Sequence, residues 1–254
     1  LIERAGSGFN ILNIGAILLA KSLRSFPGIR RKAPRVIVYE GESKSQTLSD
    51  QTGDKGYATG FTGLVQYVMG KLPQNEVIKG ALRKEVKLLP EVVIRELLAN
   101  ALIHQDFTMG GASPMVEVFV NRVEVSNPGE PVVPVERFID GYQSRNERLA
   151  DLMRRFGTCE EKSSGIDRVV ETAELMQLPA PEFLTSHRRT IVVLHGPRPF
   201  RDMNGNDRVR ACYQHCVLQY VLRKRMTNQS LRERFGLSEG SSNTVSQIIT
   251  ATIE

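Results

Sequence analysis

One stretch constrains this chain more than any other: Pro90 to Phe107, reading PEVVIRELLANALIHQDF. Pro90 suits the first turn of a helix, where its missing N–H costs nothing. Ile94, Leu97, Leu98, Ala101 and Leu102 then recur at helical spacing and form one apolar stripe. Glu96, Asn100 and His104 stand four apart and stack on a second face of the same helix. A mostly buried helix keeps such groups only where partners, water or a ligand satisfy them. A plain polar seam on an amphipathic helix accounts for the three residues as readily as a site does, so the rest of the chain must decide.

The 254 residues, 41% hydrophobic and 24% charged, describe a globular protein long enough for one large core or two smaller ones. The net charge of +6 permits an anionic ligand or nucleic acid without demanding either. The apolar run Ile11 to Ala20 is too short to span a bilayer, so no membrane role is expected. Cys159, Cys212 and Cys216 show no zinc-type pairing, and Cys212 and Cys216 read as buried thiols; a reducing, cytoplasmic setting fits. A first residue Leu1 and a last residue Glu254 inside a helical pattern suggest a fragment.

In chain order, residues 9–26 read as a helix capped by Asn13 and stopped at Pro27-Gly28. Val36 to Tyr39 reads as a short strand, residues 43–56 as a polar loop, and Gly60 to Met69 as a helix. After the central helix, Gly110 to Pro114 is a turn. Met115 to Val120 and Val123 to Ser126 form a hairpin about Asn121-Arg122, and Asn127 to Pro131 should leave the sheet because proline cannot continue it. A short helical part is expected around Val135 to Gly141. Asn146 caps a helix that ends at Gly157, Gly165 opens another, and Phe183-Leu184 and Thr190 to Leu194 read as strands. Gly196 to Pro199 is the clearest boundary. Three short helices follow, at about 208–225, 228–235 and from Ser241 or Ser242 onward.

Helix, glycine-rich loop, antiparallel hairpin and a glycine opening another helix make a nucleotide-pocket order. Glu96-x-x-x-Asn100-Ala101 resembles the N-box of the GHKL superfamily of ATP-binding domains. Arg145 to Asp151, Gly157 to Arg168, Ile94 to Phe107 and Val116 to Gly129 resemble, more closely, the RecG-like transcriptional regulators. Those join a Schlafen-AlbA-type domain, absent from this chain, to a divergent GHKL-like module and a winged helix. The resemblance covers roughly residues 8–195. It implies an α/β (α+β) fold, a two-layer sandwich with a mixed sheet. It also implies ATP with Mg²⁺ as cofactors, Asn100 as the Mg²⁺ ligand, and Glu96 as the group that orients or deprotonates water where hydrolysis occurs. Asn127 and Gly129 would stand at the base, where the superfamily has Asp-x-Gly-x-Gly. Ser163, Ser164 and Gly165 would line the phosphates at a helix N-terminus. His104 is read as holding a loop, and Arg145 as part of an ion pair.

The C-terminal helices resemble a winged helix-turn-helix whose wing would lie past Glu254. Ser241, Ser242, Asn243, Thr244 and Gln247 fall in the N-terminal half of the recognition helix, with Arg232 and Arg234 as phosphate contacts. A small helical bundle for protein contact is the competing reading. The expected organisation is a segment at 1–85, the GHKL-like module at 86–196, a linker at 197–207 and an incomplete winged helix at 208–254. The expected role is a DNA-binding transcriptional regulator with double-stranded DNA as partner and homodimers possible in principle from paired half-sites. An ATP-hydrolysing enzyme and a protein–protein scaffold are the alternatives.

Overall fold

In the computed structural model, residues 1–79, 82–159 and 165–253 are described. The chain begins with a hairpin, β1 (Ile2–Ala5) and β2 (Gly8–Ile11), followed by helix α1 (Asn13–Leu19). The expected helix from residue 9 is therefore shorter and follows two strands whose residues are all exposed. Strand β3 (Arg35–Tyr39) pairs with β4 (Thr47–Thr52), which lies inside the stretch expected to be loop. Helix α2 (Tyr57–Lys71), the ribbon β5 (Gln74–Lys79) and β6 (Leu82–Lys87), and helix α3 (Glu91–His104) come next. Then follow β7 (Met115–Val118), β8 (Arg122–Pro128), α4 (Glu147–Arg155), α5 (Ile166–Leu175), β9 (Glu182–Ser186) and β10 (Arg189–His195). The chain closes with α6 (Gly205–Val221), α7 (Asn228–Arg234) and α8 (Ser242–Ile253).

Six strands form one open mixed sheet in the order β4-β3-β7-β8-β10-β9. Only β3 and β7 run parallel, and the long crossover this requires is supplied by everything from β4 to α3. The fold is thus an α+β arrangement in which residues 35–52 and 115–195 share a sheet. Val36, Val116, Val118, Val123, Val125 and Val192 face the helices, because side chains two apart on a strand share a face. The opposite face carries a small cluster of Ile37, Tyr39 and Phe119, with the Tyr39 hydroxyl donating to buried Glu117 at 2.8 Å. Burial, with that bond and the Glu117 charge behind it, pushes the Tyr39 phenol up to about 12.

Helix α3 is the centre of the main core and packs on α2, α5 and β8. Ile94, Leu97, Leu98 and Leu102 are buried, and truncating any one to alanine would cost about 2–5 kcal/mol. Strand β8 continues through Pro128, which the sequence reading had leave the sheet. Beyond Ser126 only β10 still pairs with β8, so the proline's missing N–H breaks no second ladder. Asn146 precedes α4 but does not cap it. Its Nδ2 donates instead to the carbonyls of Ile103 and Gln105, fixing the end of α3.

The C-terminal helices have a small core of their own, in which Cys212, Leu231, Phe235, Val245 and Ile248 meet Ala180 and Met203. Leu218 of α6 joins the main core instead. Cys212 is buried as expected, but Cys216 is exposed. Among the described residues no helix is long and apolar enough to cross a membrane, and no three His, Cys, Asp or Glu side chains group as metal ligands.

Candidate functional site

The polar seam of α3 faces two neighbours at once. Toward the sheet lies a cleft of about 700 Å³, its open mouth included. Its floor is Val125 and Asn127 of β8 with Thr190 and Val192 of β10; its wall is Leu97, Asn100 and His104 of α3. Residues of the 131–143 connection, chiefly Val132, Phe138 and Tyr142, cover it, and Ile166 closes one end. The wall is mainly apolar with a few convergent polar groups, the usual make-up of a small-molecule site.

Asn127 and Thr190 are direct partners across the β8–β10 ladder, so both side chains stand on one face of the sheet. Asn127 is 6% exposed and its Nδ2 donates to the carbonyl of Pro128 at 3.2 Å, which leaves Oδ1 as an acceptor. The Thr190 hydroxyl donates to the Gly129 carbonyl at 2.9 Å. His104 stands on the cleft wall rather than serving only to hold a loop. Burial drives its imidazole down to about 4, with the Arg145 charge adding to the effect, so it is neutral at pH 7. A neutral imidazole offers one donor and one acceptor.

Gly129 does not line the cleft as expected. With φ at +103° it lets the chain turn closely past Asp106, and a Cβ there would meet the Asp106 Cβ at 2.8 Å. Arg145 belongs to this corner: it donates to the Glu130 carbonyl and lies 4.0 Å from the Asp106 carboxylate. The Asp106 N–H donates to the Pro128 carbonyl at 2.8 Å, which ties the end of α3 to β8. Hydrogen bonds from Thr108 hold the Asp106 carboxyl below the usual range, with Arg145 and Lys32 helping against desolvation.

On its other side, the seam meets the start of α5. Gly165 caps that helix with φ at +74°. A Cβ on Gly165 would press into the Glu96 carboxylate and come within 3.6 Å of Asn100 Nδ2. Glycine is therefore needed twice here, for the left-handed backbone and for the close approach. Glu96 is 8% exposed, and Arg168 in the first turn of α5 brings Nη1 to 3.8 Å from its Oε1. Asn100 is the residue common to the cleft and to this contact. Ser163 and Ser164, expected beside Gly165, lie outside the described residues.

The structure thus gathers Glu96, Asn100, Asn127 and Gly165 around one region, and adds Thr190, His104 and Arg168. Thr190 has no local signal, since its role depends on pairing with a strand some sixty residues earlier. Arg168 stands three residues after the helix-opening glycine, a spacing that places it in the first turn.

At the C-terminus, α7 is followed by a turn at Gly236, with φ at +64°, and then by α8. Ser242, Asn243, Thr244 and Gln247 are exposed on the N-terminal half of α8, and Val245 and Ile248 point into the small core. Ser241 is half-buried at the preceding turn. Arg232 is half-buried too, with Nε donating to Asn228 Oδ1 at 3.1 Å. Arg234, expected to contact phosphate, is buried instead and donates to the Leu178 carbonyl at 2.7 Å. Its position on α7 turns it toward the loop after α5, where no duplex can reach it.

Residues 111–194 match the family described as "Putative ATP-dependent DNA helicase recG C-terminal". That range holds Asn127, Thr190 and Gly165 and supports an ATPase-type module of the RecG-like, GHKL kind; α3 lies just before it. No curated protein matches significantly. Among solved structures, the crystal structure of the DIP2311 protein from Corynebacterium diphtheriae is similar over 95% of this chain, with a TM-score of 0.64 and 20% identity. The match covers 50% of that chain, so the present chain spans about half its length. At that identity the likeness speaks for the fold.

Proposed function

We propose that the cleft binds ATP or a related nucleotide with Mg²⁺, and that the bound nucleotide adjusts DNA binding by α7 and α8. The observation that carries the nucleotide reading is the position of Asn100. It walls the mainly apolar cleft and also borders the glycine start of α5, where helix N-termini favour anions. The base would lie over Val125 and Val192, with its exocyclic amine on Asn127 Oδ1. Asn127 is a neutral acceptor where the superfamily has a carboxylate, so this bond is weaker. The donor set suits a hard cation: the Asn100 amide oxygen is a reasonable single protein ligand for Mg²⁺, which keeps most of its waters. Bound there, Mg²⁺ would supply positive charge between the phosphates. The chain's own contribution is to hold the base against the apolar cleft wall, to place Asn100 at the phosphates and to keep the start of α5 open through Gly165.

Calorimetric titration of ATP·Mg²⁺ tests this: wild type should give heat, and Asn100→Ala should lose it. No heat from wild type at millimolar ATP would refute nucleotide binding and leave the cleft as scaffold. Binding without phosphate release would remove the ATPase alternative, in which Glu96 serves as base.

The exposed Ser, Asn, Thr and Gln side chains on the first turns of α8 support the DNA reading, since these groups both donate and accept at base edges. Gel shifts at rising salt should show affinity falling with ionic strength, and an Asn243→Ala, Gln247→Ala variant should bind at least tenfold more weakly. Unchanged affinity in that variant would favour a protein partner for these helices.

A further inference from the structure

We infer that a second cleft, between α1 and the start of α4, binds a small carboxylate with an apolar body on the buried ammonium of Lys32. The inference stands apart from the nucleotide reading, because the two clefts share no lining residue. This one measures about 850 Å³, its open mouth included. Ile14 and Ile17 of α1, with Ile29, Phe107 and Leu149, supply its apolar wall. Lys32 is the buried charge on the lining, at 4% exposed.

The close partners of that ammonium are neutral. Nζ donates to the Met109 carbonyl at 2.7 Å and more weakly to the Asp106 carbonyl at 3.4 Å. It also stands 5.8 Å from the centre of the Phe107 ring, which places it beside another lining side chain. The Asp106 carboxylate acts on it only from a distance; it accepts from Thr108 and lies 4.0 Å from Arg145. Burial accordingly holds the Lys32 amine below its ordinary range, against the pull of Asp106. A buried charge is costly without a counter-ion, and where it borders a cleft, an anion in the cleft is the partner that offsets the cost. The core fixes this lysine in place. Its carbonyl accepts from the Tyr57 hydroxyl at 2.6 Å, and Gln105 Nε2 donates to that hydroxyl and to the Leu102 carbonyl. Tyr57 and Gln105 are themselves buried, so Lys32 borders the cleft on a rigid mount.

The mouth sets the charge of the ligand. Glu147 and Arg148 are both exposed there, and Lys32 and Arg148 against Glu147 leave one positive charge on the lining. A monoanion matches that balance, whereas a dianion such as phosphate would leave a charge uncompensated against an apolar wall. Asn13 and Asn146 line the cleft too, but Asn146 Nδ2 is spent on the end of α3.

Calorimetric titration of the whole chain with hexanoate, hexanamide and inorganic phosphate tests this. Hexanoate should bind at millimolar concentration. Hexanamide keeps the shape without the charge and phosphate keeps the charge without the apolar body, so each should bind at least about tenfold more weakly. Lys32→Met keeps the length and drops the charge; it should lose about tenfold or more in hexanoate affinity. Its response to ATP·Mg²⁺ should stay that of wild type. Arg148→Glu, an exposed change that spares the core, should weaken hexanoate about threefold. Circular dichroism verifies folding, and a Lys32→Met that fails to fold leaves the hexanamide comparison and Arg148→Glu to decide. No hexanoate heat in wild type, or hexanamide bound equally well, would overturn the inference and leave the nucleotide reading untouched. Phosphate bound as well as hexanoate would overturn the ligand class. Unchanged hexanoate affinity in folded Lys32→Met and in Arg148→Glu would overturn the site.

Discussion

Helix α5 carries a polar cluster at each end, and the two are put together in opposite ways. At its start, Gly165 meets Glu96 and Asn100 beside a cleft that opens to solvent. At its far end, about 15 Å along at 1.5 Å per residue, Glu174 lies among groups that close on one another. Its Oε2 is 2.9 Å from His215 Nδ1, and His215 Nε2 is 3.0 Å from Ser230 Oγ. Arg234 lies 3.8 Å from Glu174 Oε1 and donates to the Leu178 carbonyl. Ser230, His215 and Glu174 have the spacing of a hydrolytic triad. The Ser230 hydroxyl, however, also serves the N–H and the carbonyl of Thr227 in the cap of α7. It is committed to the helix end and acts as a clasp between α5, α6 and α7. Polar groups alone do not mark a site; what separates the two ends is that one set is enclosed between three helices and the other borders an open cleft.

The largest effect should come from opening the closed end. Arg234→Ala leaves the Glu174 carboxylate buried with His215 as its remaining ionisable partner, and a loss of about 3–5 kcal/mol is expected from urea unfolding. Burial already holds the Arg234 guanidinium below its ordinary range, so the pair is not a strong net stabiliser. A double change, Glu174→Leu with Arg234→Met, should therefore regain most of the loss. A loss below about 1 kcal/mol in Arg234→Ala would mean that the clasp is solvated and the contrast between the ends is void.

At the open end, Gly165→Ala should cost about 1–3 kcal/mol through its positive φ and the clash with Glu96, and should abolish nucleotide heat. Glu96→Ala on that background removes the clash and not the backbone strain, so it should restore only part of the stability. Full restoration would show that φ at this position costs nothing.

His104 adds a pH dependence confined to the cleft side. Its folded pKa, about 4, lies below the ordinary 6.5, so the unfolded chain takes up the proton first. Stability is then fully present above pH 6.5 and falls as the pH drops toward 4, by roughly 1–3 kcal/mol. Unfolding of wild type and His104→Gln at pH 7 and pH 5 checks the sign. The variant should lose less than wild type over that interval, and an equal loss would assign the dependence to other groups.

The two ends also differ in how far the sequence shows them. Glu96 and Asn100 are visible because a four-residue spacing on an apolar helix is a local pattern, and Gly165 because it opens a helix. Arg234 misleads: a buried arginine and a phosphate-facing arginine look alike on a short amphipathic helix, and only the packing of α7 on the loop after α5 separates them. Thr190 is silent for the same reason, since its partner Asn127 is chosen by sheet register. In the fold, the core helices and the β7–β8 hairpin follow from periodicity. β4 and the first hairpin do not, because exposed strands bury no alternate face and leave no apolar alternation to read.

The smallest stability change should come from Asn100→Ala, and it is the sharpest test of the contrast. An amide that walls an open cleft can be replaced by solvent, so its removal should cost about 1 kcal/mol or less, the worth of a neutral hydrogen bond. The same change should remove nucleotide binding, because among the described residues Asn100 is the side-chain amide that borders both the cleft and the α5 start. Urea unfolding and calorimetry on one preparation read the two quantities together. A loss above about 2 kcal/mol would place Asn100 with Arg234, as a group that closes the fold on itself. Small cost with lost binding is the signature of a polar group kept for a ligand, and a large cost that of one kept for the fold.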